Sequence, residues 1–403
     1  MLREEYLARI KFIVQFGRGL HSVGSPAHSL ESALLGLCDR LGLKGSFVSI
    51  PTAIFCSFRF LDDEVTRIVR VEPSGINLGR LTKVDMIAQD VINQRLDFNQ
   101  GWERLEEVLN ESDSFPAWVK VLCFSLTSGG MMTLFGGSWG DLLASLIVGA
   151  LIGLLSLPKH FGLVSQLYEV MMGFVAALLA TLLGKISPDI SLNVVILASL
   201  IMFIPGLNIT ISIAEIATQN LTSGTSRLVG GFMILLKLAF GVFAGTKIAG
   251  LVSITGAQLH FAQIPAWVIL LTVPVTAAMS TVVFKAEWRE MKWITLAGVF
   301  GYTVAKVGTF YLGPEMGLFL GGIGVGAAAN VFARTRLRPS SIFQFPGLIL
   351  LVPGSSGYRG LSSLYARDVV VGFDTAFTML VLAFSLVVGV FVGNILVKPR
   401  SNF

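Results

Sequence analysis

The pattern of apolar and polar positions changes once along this chain, at Pro116. Ahead of it the apolar positions are periodic. In AHSLESALLGLCDRLG, Leu30, Ala33, Leu34, Leu37 and Leu41 share one helical face. Ser25-Pro26 reads as the start of that helix, with Ser25 as N-cap and Pro26 at the first helical position, and Gly42 reads as its C-cap. The opening MLREEYLARIKFIVQFGRG is too charged for a secretory leader and predicts an amphipathic helix. FVSIPTAIFCSFRF and EVTRIVRVEP are rich in β-branched and aromatic residues and predict two or three strands. LTKVDMIAQDVINQ and FNQGWERLEEVLN predict two further amphipathic helices. Residues 1–117 therefore read as a small α+β domain.

After Pro116 the period gives way to long apolar runs. Ten can be drawn: 118–135, 141–157, 163–184, 190–219, 226–250, 265–284, 291–312, 314–333, 341–366 and 369–396. Most are long enough to cross ~30 Å of hydrocarbon. The fourth and the ninth are broken by Pro-Gly, at Pro205-Gly206 and Pro353-Gly354. A shift of 148 positions superposes these breaks without a gap. It also lays Gly224 on Gly372, and GVFAG (241–245) on GVFVG (389–393). The chain thus carries an internal repeat, predicted to divide it into membrane halves at 118–250 and 262–397. Each half holds five segments, so the second must lie inverted relative to the first. Inverted halves with discontinuous helices at matching positions are a transporter arrangement. The expected fold is a mainly α-helical polytopic membrane protein of about ten transmembrane helices in two inverted five-helix repeats, with the α+β domain at its N-terminus.

Composition agrees with this division. Hydrophobic residues make up 53% of the 403, charged residues 14%, and the mean hydropathy is +0.75, too apolar for a soluble chain of this length. The net charge of +5 does not indicate nucleic acid, because the basic residues lie at the ends of apolar runs. With residues 1–117 in the cytoplasm, Lys159, Lys285, Arg289, Lys292, Arg334, Arg336, Arg338, Lys398 and Arg400 fall inside. Lys185, Lys247, Arg359 and Arg367 fall outside. The bias places both termini inside a bacterial-type inner (plasma) membrane. Cys38, Cys56 and Cys123 have no metal spacing and read as buried thiols. Asp62-Asp63-Glu64 reads as a solvated turn between strands. No nucleophile motif or phosphate loop occurs, so neither an enzyme nor a cofactor is expected.

The breaks define the candidate site. Pro removes a backbone donor and Gly relaxes the dihedrals, so a helix stops inside the membrane and restarts with unpaired N–H groups suited to a carboxylate. Pro205, Gly206, Asn208, Thr210, Ser212 and Glu215 follow the first break, and Pro353, Gly354, Ser355, Ser356, Tyr358 and Arg359 the second. Short hydroxyls and free amides suit a carboxylate, Arg359 could pair with it bidentately, and Glu215 could take an α-amine or a coupling proton. The alternatives are that Arg359 snorkels at an interface and that Glu215 lies on the cytosolic face of a short helix. Lys237, Lys306 and Asp374 lie within apolar runs, where a charge needs an ion-pair mate or a watery cavity, and they are the coupling or gating candidates. Asp141 either completes a helix N-terminus or lines the vestibule.

The stretches VGSPAHSLE, FVSIPTAIFCSF, VEPSGINLGRLTKVD and LFGGSWGD resemble the threonine/serine exporter family. The resemblance runs across nearly the full chain. Its second half resembles the small membrane subunit that two-gene relatives encode separately. The resemblance implies proton-driven export of threonine and serine, while some split relatives are associated with dicarboxylates such as succinate. The expected partners are a small-molecule substrate, protons and the lipid bilayer, with a homo-oligomer open. A passive channel or a sensor gated by the N-terminal domain is the competing class.

Overall fold

The computed structural model describes every residue except 1–2, 61–62, 112–114, 158–165, 188, 253–259, 366–367 and 400–403. Asp62, Lys159, Arg367 and Arg400 lie outside the described residues.

The N-terminal domain begins with α1 (Arg3–Ser22) and α2 (Ala27–Arg40). A meander of β1 (Lys44–Ile50), β2 (Ala53–Phe60) and β3 (Asp63–Arg70) follows, antiparallel in the order β1-β2-β3. Then come α3 (Leu78–Ile92) and α4 (Phe98–Asn110). Alternation along the strands buries Phe47, Ile54, Cys56 and Phe58 and leaves Val48, Phe55 and Ile68 on the outer face. Asp63 and Glu64 belong to β3 itself, not to a turn. The domain does not close on itself. Its core, around Phe12, Phe16, Leu34 and Val84, runs without interruption into Phe284, Ile294, Phe332 and Phe345 of the membrane part.

Two helix starts dock the domain. Pro26 precedes α2 with no side-chain cap, so the expected Ser25 cap does not form. The α2 amide of Ala27 donates instead to Glu215, 188 positions away (2.9 Å). At the head of α3, Leu78 N–H donates to the Phe284 carbonyl (2.8 Å) and Gly79 N–H to the Lys285 carbonyl (3.2 Å). First-turn amides that a helix cannot satisfy internally thereby become the joints between domain and membrane part.

The membrane part comprises α5 (Ala117–Leu134), α6 (Trp139–Leu155), α7 (Tyr168–Ile186), α8 (Leu192–Leu200), α9 (Gly206–Ala217) and α10 (Leu221–Gly250). It continues with α11 (Ile269–Val283), α12 (Met291–Leu312), α13 (Pro314–Arg336), α14 (Ser341–Ile349), α15 (Gly354–Tyr365) and α16 (Val369–Leu396). Among the described residues, six helices are long and apolar enough to cross a membrane on their own. The other expected spans do not meet that standard. One, α6, has 17 residues, and α12 carries Lys306. The broken pair is split into pieces of 9 and 12 residues in each half, α8 with α9 and α14 with α15. Large apolar side chains face outward, including Phe232 and Phe240 on α10 and Phe373, Phe377 and Phe384 on α16. Water would penalise that surface and lipid accepts it.

Close glycine seams join α7 to α10 and α13 to α16. A Cβ at Gly241 would meet the Val170 carbonyl at 2.2 Å, and one at Gly245 the Phe174 carbonyl at 2.4 Å. In the other half Gly389 faces the Phe319 carbonyl at 2.2 Å and Gly393 the Ile323 carbonyl at 2.6 Å. Gly173 against Leu238 recurs as Gly322 against Leu386. Backbone approach this close is open only to glycine; the α10 and α16 residues of the two seams match under the 148-position shift, and their α7 and α13 partners are offset by one further position.

Candidate functional site

The two breaks meet. A Cβ placed on Gly206 would lie 3.0 Å from Gly354 Cα, and one placed on Gly354 would lie 3.0 Å from Gly206 Cα. One pair of residues equivalent under the 148-position shift is therefore in contact. Beside this contact lies a cavity of about 470 Å³. Its walls are the α8–α9 break (201–208), the α14–α15 break, Thr127 of α5, and Thr276 and Ser280 of α11. The N-terminal domain roofs it with Ser22, the 74–77 stretch and Arg80. Pro205 starts α9 with no side-chain cap, so the first-turn amides of α9 sit in the cavity wall without one. Among the described residues of the lining, Arg80 and Lys285 carry charge. A helix start and two cations give the space a positive character that suits an anionic group.

Of the residues expected at the site, Pro205, Gly206, Asn208 and Gly354 line the cavity, and Pro353 is buried beside them. The others lie elsewhere. The Thr210 hydroxyl donates to the Gly206 carbonyl of its own helix (3.2 Å), and its side chain faces a separate small cavity with His28 and Gln344. Ser212 donates to the Ile209 carbonyl (2.7 Å) and is buried in helix packing. Ser355 and Ser356 are half-buried outside the lining. Tyr358 packs into the core formed with α7 and α10. Arg359 is exposed and stacks over the Phe135 ring at 5.5 Å, so it does not reach the cavity.

Glu215 lies outside the cavity lining and away from solvent. It is 0% exposed and takes Arg227 Nε at 3.1 Å and Nη2 at 3.3 Å, besides the Ala27 amide. A carboxylate this buried persists because a forked cation and a helix start satisfy it. Nearby, the Glu31 carboxylate accepts from Ser49 N–H (2.7 Å) and Asn220 Nδ2 (3.2 Å), tying β1 to the α9–α10 turn.

His21 and His28 complete this joint. Burial lowers the pKa of both; the Arg227 charge adds to the lowering, while Glu215 and, for His21, backbone hydrogen bonding at Ile50 and Pro51 oppose it. Because the folded values are depressed, the joint is at full strength above the ordinary value of 6.5 and weakens as pH falls through the lowered folded values. Hydrogen exchange of the α1–α2 amides, corrected for intrinsic rates, is expected to speed up between about pH 7.5 and 5 while exchange in β2 stays constant.

The gating candidates separate in the same way. Asp141 closes a capping box with Ser138 and accepts from Ser191 N–H (2.6 Å), joining the starts of α6 and α8. Lys237 pairs with Glu169 (3.3 Å) between α10 and α7. Lys306 and Asp374 are exposed on α12 and α16, away from the cavity. Sequence reasoning missed Asn77, Arg80, Thr127, Thr276, Ser280 and Lys285. A weak signal existed: Thr127, Thr276 and Ser280 are polar in otherwise apolar runs, and Asn77 and Arg80 lie inside VEPSGINLGRLTKVD.

The membrane geometry has counterparts among known sequences. The ThrE family model, described as a threonine/serine exporter, matches residues 11–249. The chain belongs to the threonine/serine exporter family. A second exporter-family model, ThrE_2, matches residues 269–396, so the two models divide where α10 gives way to α11. Similar proteins include the pheromone-regulated membrane protein 10 of Zygosaccharomyces rouxii, 24% identical over 98% of this chain and 43% of its own length. That of Eremothecium gossypii is 23% identical over 98% of this chain and 57% of its own. That of Candida albicans is 27% identical over 92% and 34%. The chain thus spans about half the length of these curated relatives, or less. No solved structure matches it. Exporter-family membership and the outward apolar surface together make this a multi-pass membrane protein.

Proposed function

We propose that the protein is a secondary exporter of small polar solutes of the threonine and serine class, driven by a proton gradient. The contact of Gly206 with Gly354 beside the cavity carries this reading. It sets two interrupted segments, equivalent in sequence, face to face within the bundle. Irregular backbone at membrane depth is tolerated where it is buried in protein or lines a cavity. In this reading ten segments form two inverted halves, each braced internally by its glycine seam, and one half rocks against the other. The end that carries the N-terminal domain faces the cytoplasm, because Lys285, Arg289, Lys292, Arg334, Arg336, Arg338 and Lys398 gather there. The domain then stands over the cytoplasmic mouth of the transport site.

The test is efflux of preloaded radiolabelled threonine, serine and succinate from proteoliposomes, with and without an imposed proton gradient. Gradient-stimulated efflux of threonine or serine is the expected result. Succinate flux alone would transfer the site to dicarboxylates. Equal flux with and without the gradient would replace the exporter by a channel gated by the domain.

A further inference from the structure

The central cavity has a neighbour. A second cavity of about 290 Å³ lies between α3 and the α11–α12 connection and shares Asn77, Arg80 and Lys285 with the first. Its lining adds Lys83 and Arg289 to those two cations, against the carboxylates of Glu111 and Glu287. Lys83 is paired with Glu111 at 2.6 Å. Among the described residues both acids belong to the outer space alone, while Arg80 and Lys285 line both spaces. Both linings thus hold more cations than carboxylates among the described residues, which draws an anionic group and turns a zwitterion carboxylate-first.

The two shared cations come from different parts of the molecule, one from the domain and one from the membrane half. Gly79 N–H on the Lys285 carbonyl (3.2 Å) and Leu78 N–H on the Phe284 carbonyl (2.8 Å) fix the two segments side by side. That joint needs glycine, since a Cβ at Gly79 would lie 2.6 Å from the Lys285 carbonyl oxygen. Asn77 Oδ1 accepts from Arg80 N–H (3.0 Å), and Arg80 Nη2 donates to the Glu111 carbonyl. The guanidinium is thus held at the junction of the two cavities, with the Glu111 carbonyl as its acceptor among the described residues.

We propose that Arg80, supplied by the N-terminal domain, is a substrate-binding residue that with Lys285 holds the carboxylate of the transported solute where the outer cavity opens into the central one. The inference rests on the transporter reading above and adds that the membrane half alone is an incomplete site. Docking of the domain completes it. Ligands lacking a carboxylate forfeit this contact.

The experiment is calorimetric titration of the purified full chain in detergent with succinate, threonine and threoninol, the last being threonine without its carboxylate. Variants are Arg80→Gln, Arg80→Lys and Lys285→Met, and KM and kcat for efflux are measured in parallel. Removing one charge-assisted contact is expected to weaken succinate and threonine binding about tenfold in Arg80→Gln and to leave threoninol unchanged. Arg80→Lys recovers part of the loss, and KM rises while kcat holds. A wild-type chain that binds neither carboxylate overturns the inference. So do unchanged succinate affinity in Arg80→Gln and equal losses for threonine and threoninol. Carboxylate-selective binding lost in Arg80→Gln, without gradient-driven flux in the wild type, upholds the binding site and removes the exporter reading instead.

Discussion

Gly206→Val is expected to reduce gradient-driven efflux about a hundredfold, the scale on which an ångström of displacement disables a positioned site. A Cβ at this position would lie 2.5 Å from Val352 Cγ1, 3.0 Å from Gly354 Cα and 3.2 Å from Gly354 N. Val352 can rotate, but the Gly354 backbone cannot yield without moving the start of α15. The substitution therefore wedges the two breaks apart and distorts the cavity wall. Overpacking of this kind costs about 1–3 kcal/mol of stability, so the protein still folds and inserts. Gly230→Val is the control, because nothing lies within 4 Å of a Cβ there. Efflux rates normalised to protein inserted in the vesicles check the prediction. Equal rates for the two variants would show that the contact between the breaks has no part in transport.

The second large effect concerns Glu215. Glu215→Ala is expected to loosen the N-terminal domain by about 3 kcal/mol, because it strips the cap from α2 and leaves Arg227 without its carboxylate. The figure is set below the full cost of breaking a buried pair because the Arg227 side chain is 24% exposed and water recovers part of it. Hydrogen exchange at Ala27 to Leu30 should quicken about a hundredfold, with β2 unaffected. Glu215→Gln keeps an acceptor for the Ala27 amide and loses the charge, so its effect should be smaller. Were Glu215 a proton carrier and not a joint, Glu215→Gln would stop gradient-driven efflux with no change in exchange. Together the two readouts separate a residue that holds the domain from one that moves a proton.

Sequence and structure agree most closely in the membrane half. The apolar runs drawn at 226–250, 291–312 and 369–396 appear as α10, α12 and α16, and both Pro-Gly pairs interrupt their segments as expected. A long run of apolar side chains specifies a helix locally, since lipid leaves the backbone no other partner than itself. Glycine at 241, 245, 389 and 393 likewise marks a seam that any side chain would block. The site was legible only at its hinge points, Pro205, Gly206, Asn208 and Gly354. Thr210 and Ser212 follow the break closely in sequence. The helical turn, however, carries them round to other faces, where their hydroxyls bond their own backbone.

The sequence by itself determined that residues after Pro116 form membrane-grade helices, that two of these are interrupted, and that the interruptions recur at a fixed spacing. Each follows from interactions within a few residues: hydrophobic runs, the missing amide of proline and the freedom of glycine. Only the tertiary structure decided which polar groups meet. Glu215 finds Ala27 across 188 positions, and Arg80 reaches a cavity built mainly by helices from other parts of the chain. A charge in a sequence carries its cost of burial but not the address of its partner. That address is set by how the helices pack, and here packing assigns the expected binding carboxylate to a structural joint and places a domain arginine at the mouth of the cavity.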